Sequence, residues 1–244
     1  MKIMTFNTQH CASYRNGLKI DFDLFADTIR KADADVVGLN EIRGKGERED
    51  YEAQTEILSA RSGMPYSCFA PAILVRGNNP YGNALLSKYE ILHTEKIMIP
   101  DPPTRVEGCR YETRCILKAR LACGLTVAVV HVGLNPDEME CAVNTLMEQI
   151  EDERFVLMGD FNMTPDDPLL APIKDRLVDT ATLSDDPLLS FPSDKPTCKI
   201  DYIFTSRDLR VRSVCVPEWV VSDHRPVIVE IEPSLEEVRK LCEI

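Results

Sequence analysis

Apolar runs of strand length alternate with amphipathic stretches of helix length along the whole chain. Ile3 to Phe6 reads as a strand and Val36 to Leu39 as a buried one. Between them Phe22, Phe25, Ile29 and Ala32 recur at helical spacing, which predicts a helix over 21–32. A second helix is expected over 51–60, then short strands at 84–86, 91–97, 116–121 and 126–132. Asn135-Pro136-Asp137-Glu138 has the composition of a helix start. A capping Asn comes first, then a proline where no N–H is needed, then acids at the positive end of the dipole. That helix should reach about Ile150, and strands at 155–158, 200–204, 209–216 and 227–231 follow. Ser234 with Glu237 forms the pattern of a capping box. It predicts a helical tail over 234–244, packed on a domain of residues 1–233. Strands outnumber helices, and no repeat or linker intervenes, so one α/β domain of stacked sheets flanked by helices is expected.

The polar residues sit where these runs end. Asn7, Glu41 and His131 each close an apolar run, and Asp160 and Asn162 close Phe155-Val156-Leu157-Met158-Gly159. Asp201 instead opens the run 200–204, and Asp223 and His224 precede the run 227–231. A purely parallel sheet would scatter these groups over two edges. Sheets of mixed direction would gather them on one rim.

Gathering them has an electrostatic cost. Two carboxylates about 4 Å apart repel by roughly 4 kcal/mol at a near-surface effective dielectric. Glu41, Asp160, Asp201 and Asp223 therefore need a cation, or protonation of some of their number. Oxygen ligands without cysteine favour Mg²⁺ or Mn²⁺ over zinc. Two of the four histidines fall in the same set, and imidazole is a proton donor near neutral pH.

Composition narrows the partners. The net charge is −12, so the extended basic face that grips a long nucleic acid is disfavoured, although a local basic patch is not. No run approaches the roughly 18 apolar residues of a transmembrane segment, and the strand-like start leaves no room for a leader. Nine scattered cysteines, an odd number without close Cys-x-x-Cys pairs, suggest a reducing cytoplasm.

Six motifs now stand in order: Thr5-Phe6-Asn7, Gly38-Leu39-Asn40-Glu41, Gly82-Asn83-Ala84-Leu85-Leu86-Ser87, Gly159-Asp160-Phe161-Asn162, Ile200-Asp201-Tyr202-Ile203-Phe204 and Ser222-Asp223-His224-Arg225-Pro226. Together they resemble those of the endonuclease/exonuclease/phosphatase superfamily, which includes deoxyribonuclease I, apurinic endonucleases and inositol-polyphosphate 5-phosphatases. The resemblance covers about residues 2–231 and implies a four-layer α/β/β/α sandwich with two stacked mixed sheets. It also implies hydrolysis of a phosphate ester by direct attack of water. Glu41 resembles the principal metal ligand, with Asn7 and Asp223 in or near the coordination shell. Asp160 resembles the residue that orients or deprotonates the water, or protonates the leaving group. Asn162 would position the nucleophile or a phosphoryl oxygen. Asp201 would hold His224, which with His131 would stabilise the developing charge.

Weaker candidates are Asn83, which stands on a motif and is as well suited to a turn, and Arg114, able to contact a substrate phosphate. Trp219 reads as core packing, and the segment 185–195 as a loop beside the site. The acidic charge favours a small or lipid-like ester over the alternative of a DNA-repair nuclease. A non-catalytic relative is disfavoured, because every motif position keeps a residue of the expected type.

Overall fold

In the computed structural model, which describes residues 1–232, the chain runs through fourteen strands and four α-helices. They begin with β1 (Lys2–Asn7), the short pair β2 (Ala12–Ser13) and β3 (Lys19–Ile20), α1 (Phe22–Ala32) and β4 (Val36–Arg43). Next come α2 (Gln54–Ser62), β5 (Tyr66–Leu74), β6 (Pro80–Ser87), β7 (Ile91–Met98), β8 (Cys115–Leu121) and β9 (Thr126–His131). The rest are α3 (Pro136–Gln149), β10 (Phe155–Asp160), α4 (Ala171–Arg176), β11 (Val178–Asp179), β12 (Asp201–Thr205), β13 (Val211–Cys215) and β14 (Val227–Ile231). The tail expected over 234–244 lies outside the described residues.

Two six-stranded sheets form, in the orders β13-β14-β1-β4-β6-β5 and β11-β12-β10-β9-β8-β7. Each has one parallel pair at its centre, β1 with β4 and β10 with β9, while the remaining neighbours are antiparallel. The alternation along the strands explains the stacking. Ile3, Val36, Val127, Val129, Val156 and Met158 point into the layer between the sheets. Met4, Phe6, Val37 and Leu39 point the other way, onto Phe25 and Ile29 of α1 and Leu58 of α2. Ala128, Val130 and Leu157 pack on Ala142, Val143 and Leu146 of α3. The central strands are buried on both faces and read as continuous apolar runs for that reason. The result is the expected four-layer α/β/β/α sandwich. No helix among the described residues is long and apolar enough to cross a membrane.

Two local departures from the sequence reading matter. β4 does not end at Leu39 but runs through Glu41 to Arg43, with a register shift against β6 between Leu39 and Ile42. β5 has no clear apolar signal, because it is a half-exposed edge strand with Pro71 beside its own register shift. An edge position tolerates the missing N–H.

Candidate active site

Three neighbouring strands present three polar residues in one row. Asp160 pairs with His131 across β10–β9 and with Asp201 across β10–β12. The row depends on Gly159, whose φ is +146° and whose Cβ, if present, would stand 1.8 Å from Val130 O. Only glycine lets β9 approach there. His224, on the loop before β14, completes the group: its Nδ1 meets Asp201 Oδ2 at 2.8 Å, and its Nε2 lies 3.7 Å from Asp160 Oδ2. Ser190 Oγ donates to the same Asp201 oxygen at 2.6 Å, and the Phe191 ring lies against the imidazole, 4.8 Å between centroids. Burial opposes a charge on His224, yet the Asp201 and Asp160 carboxylates outweigh it and raise the pKa to about 10. Two buried acids thus hold an imidazolium between them.

Asp160 is the meeting point. Its Oδ2 accepts from Asn7 Nδ2 at 3.0 Å, and its Oδ1 accepts from the Asn162 N–H at 3.0 Å. His131 Nε2 lies 3.5 Å from Oδ2. Burial raises the Asp160 carboxyl above its usual range, against the pull of the His224 cation. His131 is held in one tautomer. Arg114 Nη1 stands 3.1 Å from His131 Nδ1, and because a guanidinium only donates, Nδ1 must accept and the proton sits on Nε2. Burial first, then the Arg114 cation, drive the His131 pKa well below its usual value, so the ring is neutral.

The first sheet supplies the opposite wall. The bulge in β4 leaves Glu41 at φ +61°, turning its carboxylate toward Asn7 Nδ2, which donates to Oε1 at 3.3 Å. Burial raises the Glu41 carboxyl, the Asn7 hydrogen bond opposes this, and nearby Asp223 adds to it. Glu41, Asp160, Asp223, His131, His224, Asn162 and Arg114 all line one cleft of about 970 Å³.

The match to known proteins can be set against this geometry. The model of the "Endonuclease/Exonuclease/phosphatase family" matches residues 4–224. The chain belongs to that family. Its structure is similar to a mannosyl-6-phosphatase from Bacteroides thetaiotaomicron, with a TM-score of 0.75 at 17% identity over 95% of this chain and 99% of that one. It is also similar to an AP endonuclease from Archaeoglobus fulgidus, with a TM-score of 0.69 at 16% identity over 95% and 99% of the two chains. The catalytic domain of human Nocturnin gives 0.70 at 16% identity over 96% and 93%. At such identities the likeness shows a shared fold. No curated protein matches the chain.

Within this endonuclease/exonuclease/phosphatase fold, most of the expected residues converge, and Asn83 lies beneath them. Asn83, expected to contact substrate, is 2% exposed. Its Oδ1 accepts from Asn40 Nδ2 and its Nδ2 donates to Cys115 O, so it ties strands together beneath the cleft. Asn7, expected among the metal ligands, turns its Nδ2 to both carboxylates, while its Oδ1 accepts the Gln9 N–H at 3.2 Å. In that orientation it positions Glu41 and Asp160. Trp219 packs beside α1 under Lys31. His10 was not anticipated. It lines the cleft with Nδ1 3.1 Å from Glu41 O, and burial, then Arg43, lower its pKa to about 4. It lies in the left-handed run Gln9-His10-Cys11, which no sequence pattern marks.

Two acidic groupings could be imagined to hold a dication. Asp160, Asp201 and His224 bring ligand atoms within 4.8 Å of one another, but the His224–Asp201 hydrogen bond already occupies that cluster. Glu41 and Asp223 fit better. Both face the cleft, the Asp223 carboxylate disfavours the charge on Glu41, and among the described residues neither has an ion pair with Lys or Arg. A dication would offset that repulsion, and two carboxylates with open positions suit Mg²⁺ or Mn²⁺.

Proposed function

We propose that this protein hydrolyses a phosphate ester by direct attack of water on phosphorus, with Mg²⁺ or Mn²⁺ held by Glu41 and Asp223. The observation that carries the reading is the convergence on Asp160 Oδ2 of Asn7, His131 and His224, with Asp201 behind His224. A metal held by Glu41 and Asp223 would polarise a phosphoryl oxygen and neutralise charge developing on it. The chain's own groups do the rest. Asp160, buried and made more basic by burial, takes a proton from the water as its oxygen bonds to phosphorus, while the ester P–O bond breaks and the departing alkoxide takes a proton from solvent water. Asn162, whose Nδ2 is anchored to Val132 O at 2.9 Å, offers its amide oxygen to orient the attacking water. The His224 imidazolium and the neutral His131 Nε2–H donate to the phosphoryl oxygens as negative charge accumulates. Asp201 holds His224 in place and keeps it charged. Arg114 positions His131 and lies within reach of a substrate oxygen. No covalent intermediate is required.

The substrate fits a small or lipid-like ester better than duplex nucleic acid, given the net charge of −12. A cytoplasmic setting belongs to the same reading. The test is hydrolysis of p-nitrophenyl phosphate and bis(p-nitrophenyl) phosphate with Mg²⁺, Mn²⁺ or chelator. Activity should vanish with chelator, return with either metal, and be lost in Asp160→Asn. Chelator-resistant hydrolysis, or an active Asp160→Asn protein, would overturn the proposal.

A further inference from the structure

The cleft is lined by charges of both signs. Its lining includes the carboxylates Glu41, Asp160 and Asp223 around the catalytic group. The rest of its lining holds five arginines, at 43, 48, 76, 110 and 114, against three acids, Asp50, Glu112 and Glu138. In a chain of net charge −12 this excess of cations in one cleft is local.

Two of the arginines are built into a pair. Arg43 Nη1 and Arg48 Nη2 both donate to Asp50 Oδ2, at 2.9 and 3.1 Å, and Arg48 Nε donates to Oδ1 at 2.9 Å. Both guanidiniums also lie on the Tyr51 ring, at 4.8 and 5.6 Å from its centroid. One carboxylate thus serves two cations, and a net positive charge remains. Each planar fork has five N–H donors, and several on this pair have no acceptor among the described residues. Tyr51 and Asp50 fix their orientation, so a ligand would order little more.

Arg76 joins them from the next loop. It is exposed and has no carboxylate partner among the described residues. The two loops are docked: Asn79 Oδ1 accepts the Arg48 N–H at 2.9 Å, and Asn78 Nδ2 donates to Glu47 at 2.8 Å. Glycine at 46 is needed for this contact, since a Cβ would stand 2.6 Å from Asn79 Oδ1. Glu47 lies on the same loop as Arg48, and Asn78 occupies one of its oxygens.

Arg43 follows Glu41 by two residues on β4, roughly 7 Å along the strand. An ester whose phosphorus lies at Glu41 and Asp160 would therefore extend its far end toward Arg43, Arg48 and Arg76. We propose that these three residues form a second anion subsite, so that the preferred substrates are phosphate esters bearing a further phosphate or carboxylate some 7 Å or more from the scissile group. This inference rests on the phosphate-ester reading and names its substrate class. Bidentate arginine contacts to a phosphate should add roughly tenfold or more in affinity.

The probes are n-butyl phosphate and 1,4-butanediol bisphosphate, titrated calorimetrically into Asp160→Asn protein with Mg²⁺. The bisphosphate should bind at least about tenfold tighter. In the same background Arg48→Gln with Arg76→Gln, both solvent-facing changes, should erase that preference and leave n-butyl phosphate binding unchanged. Equal affinities for the two probes, or equal weakening of both in the arginine variant, would overturn the subsite. Failure of the hydrolase reading would show differently, as a wild-type protein that turns over no phosphate ester while the binding preference stands.

Discussion

The backbone N–H of Asp160 donates to the side-chain Oδ1 of Asn40 at 3.0 Å, across the gap between the two sheets. The Asn40 Nδ2 in turn donates to Val130 O and to Asn83 Oδ1, both at 2.9 Å. One fully buried amide thus sets the first sheet, which carries Glu41, against the second, which carries Asp160 and His131. Asn40→Ala would strand the Asp160 N–H and a Val130 lone pair in a dry interior. The expected cost is roughly 2–4 kcal/mol, read by urea unfolding, together with a clear drop in kcat. Stability within about 0.5 kcal/mol of wild type would show that the bridge is dispensable.

Gly159 and Gly17 make a controlled pair. Both have positive φ, but a Cβ at Gly159 would strike Val130 O, whereas none of the neighbouring atoms lies within 4 Å at Gly17. Gly17→Ala should cost only the backbone strain, about 1 kcal/mol. Gly159→Ala should cost more than about 3 kcal/mol, because β9 and β10 must separate and carry Asp160 with them. Thermal unfolding of the two variants side by side checks the difference.

Metal and stability are linked through Glu41. Its folded pKa is raised, chiefly by burial. A carboxyl shifted this way favours folding at low pH, and that contribution is lost as pH rises through the folded pKa. In the metal-free protein at pH 8, Glu41→Gln should therefore melt at or above the wild-type temperature. Mg²⁺ should reverse the order, since it binds the charged site and stabilises in proportion to its occupancy. Equal Mg²⁺-induced shifts in Tm for the two proteins would remove Glu41 from the ligand set.

His224 titrates in the opposite region. Its folded pKa, about 10, exceeds the ordinary value of 6.5. The stabilisation from its charge is complete below that ordinary value and disappears as pH rises through about 10. In metal-free Asp201→Asn protein the ring should lose its proton at lower pH, followed by NMR of the imidazole. Activity should fall by roughly 10²–10³. His224→Ala should lose at least as much, and the double variant little more than the worse single one, because the two act as a unit. Additive losses would show that they work separately.

Much of the architecture was legible in the chain. The alternation Ile3/Met4 and Val36/Val37 records which side chains face the other sheet and which face a helix. The apolar runs mark where strands stop, and so where Asp160 and His131 must emerge. The order of the six motifs carried the family. Elements with weak patterning escaped: β5 is an edge strand, and the bulge that lifts Glu41 belongs to a pairing between β4 and β6 and to neither strand alone.

What the tertiary structure alone decided is which polar group meets which. Asn7 and Asp160 are 153 residues apart in sequence and 3.0 Å apart in space. The turn of the Asn7 amide toward Glu41 and Asp160, and the burial of Asn83 under the cleft, follow from packing between distant strands. So do the tautomer that Arg114 imposes on His131, the Ser190 bond to Asp201, and the two arginines over Tyr51. Hydrophobic periodicity is a local property, since burial of one face repeats with the pitch of the element itself. Hydrogen-bond partners at a cleft depend on sheet twist, register and loop docking, which sum contacts across the whole chain.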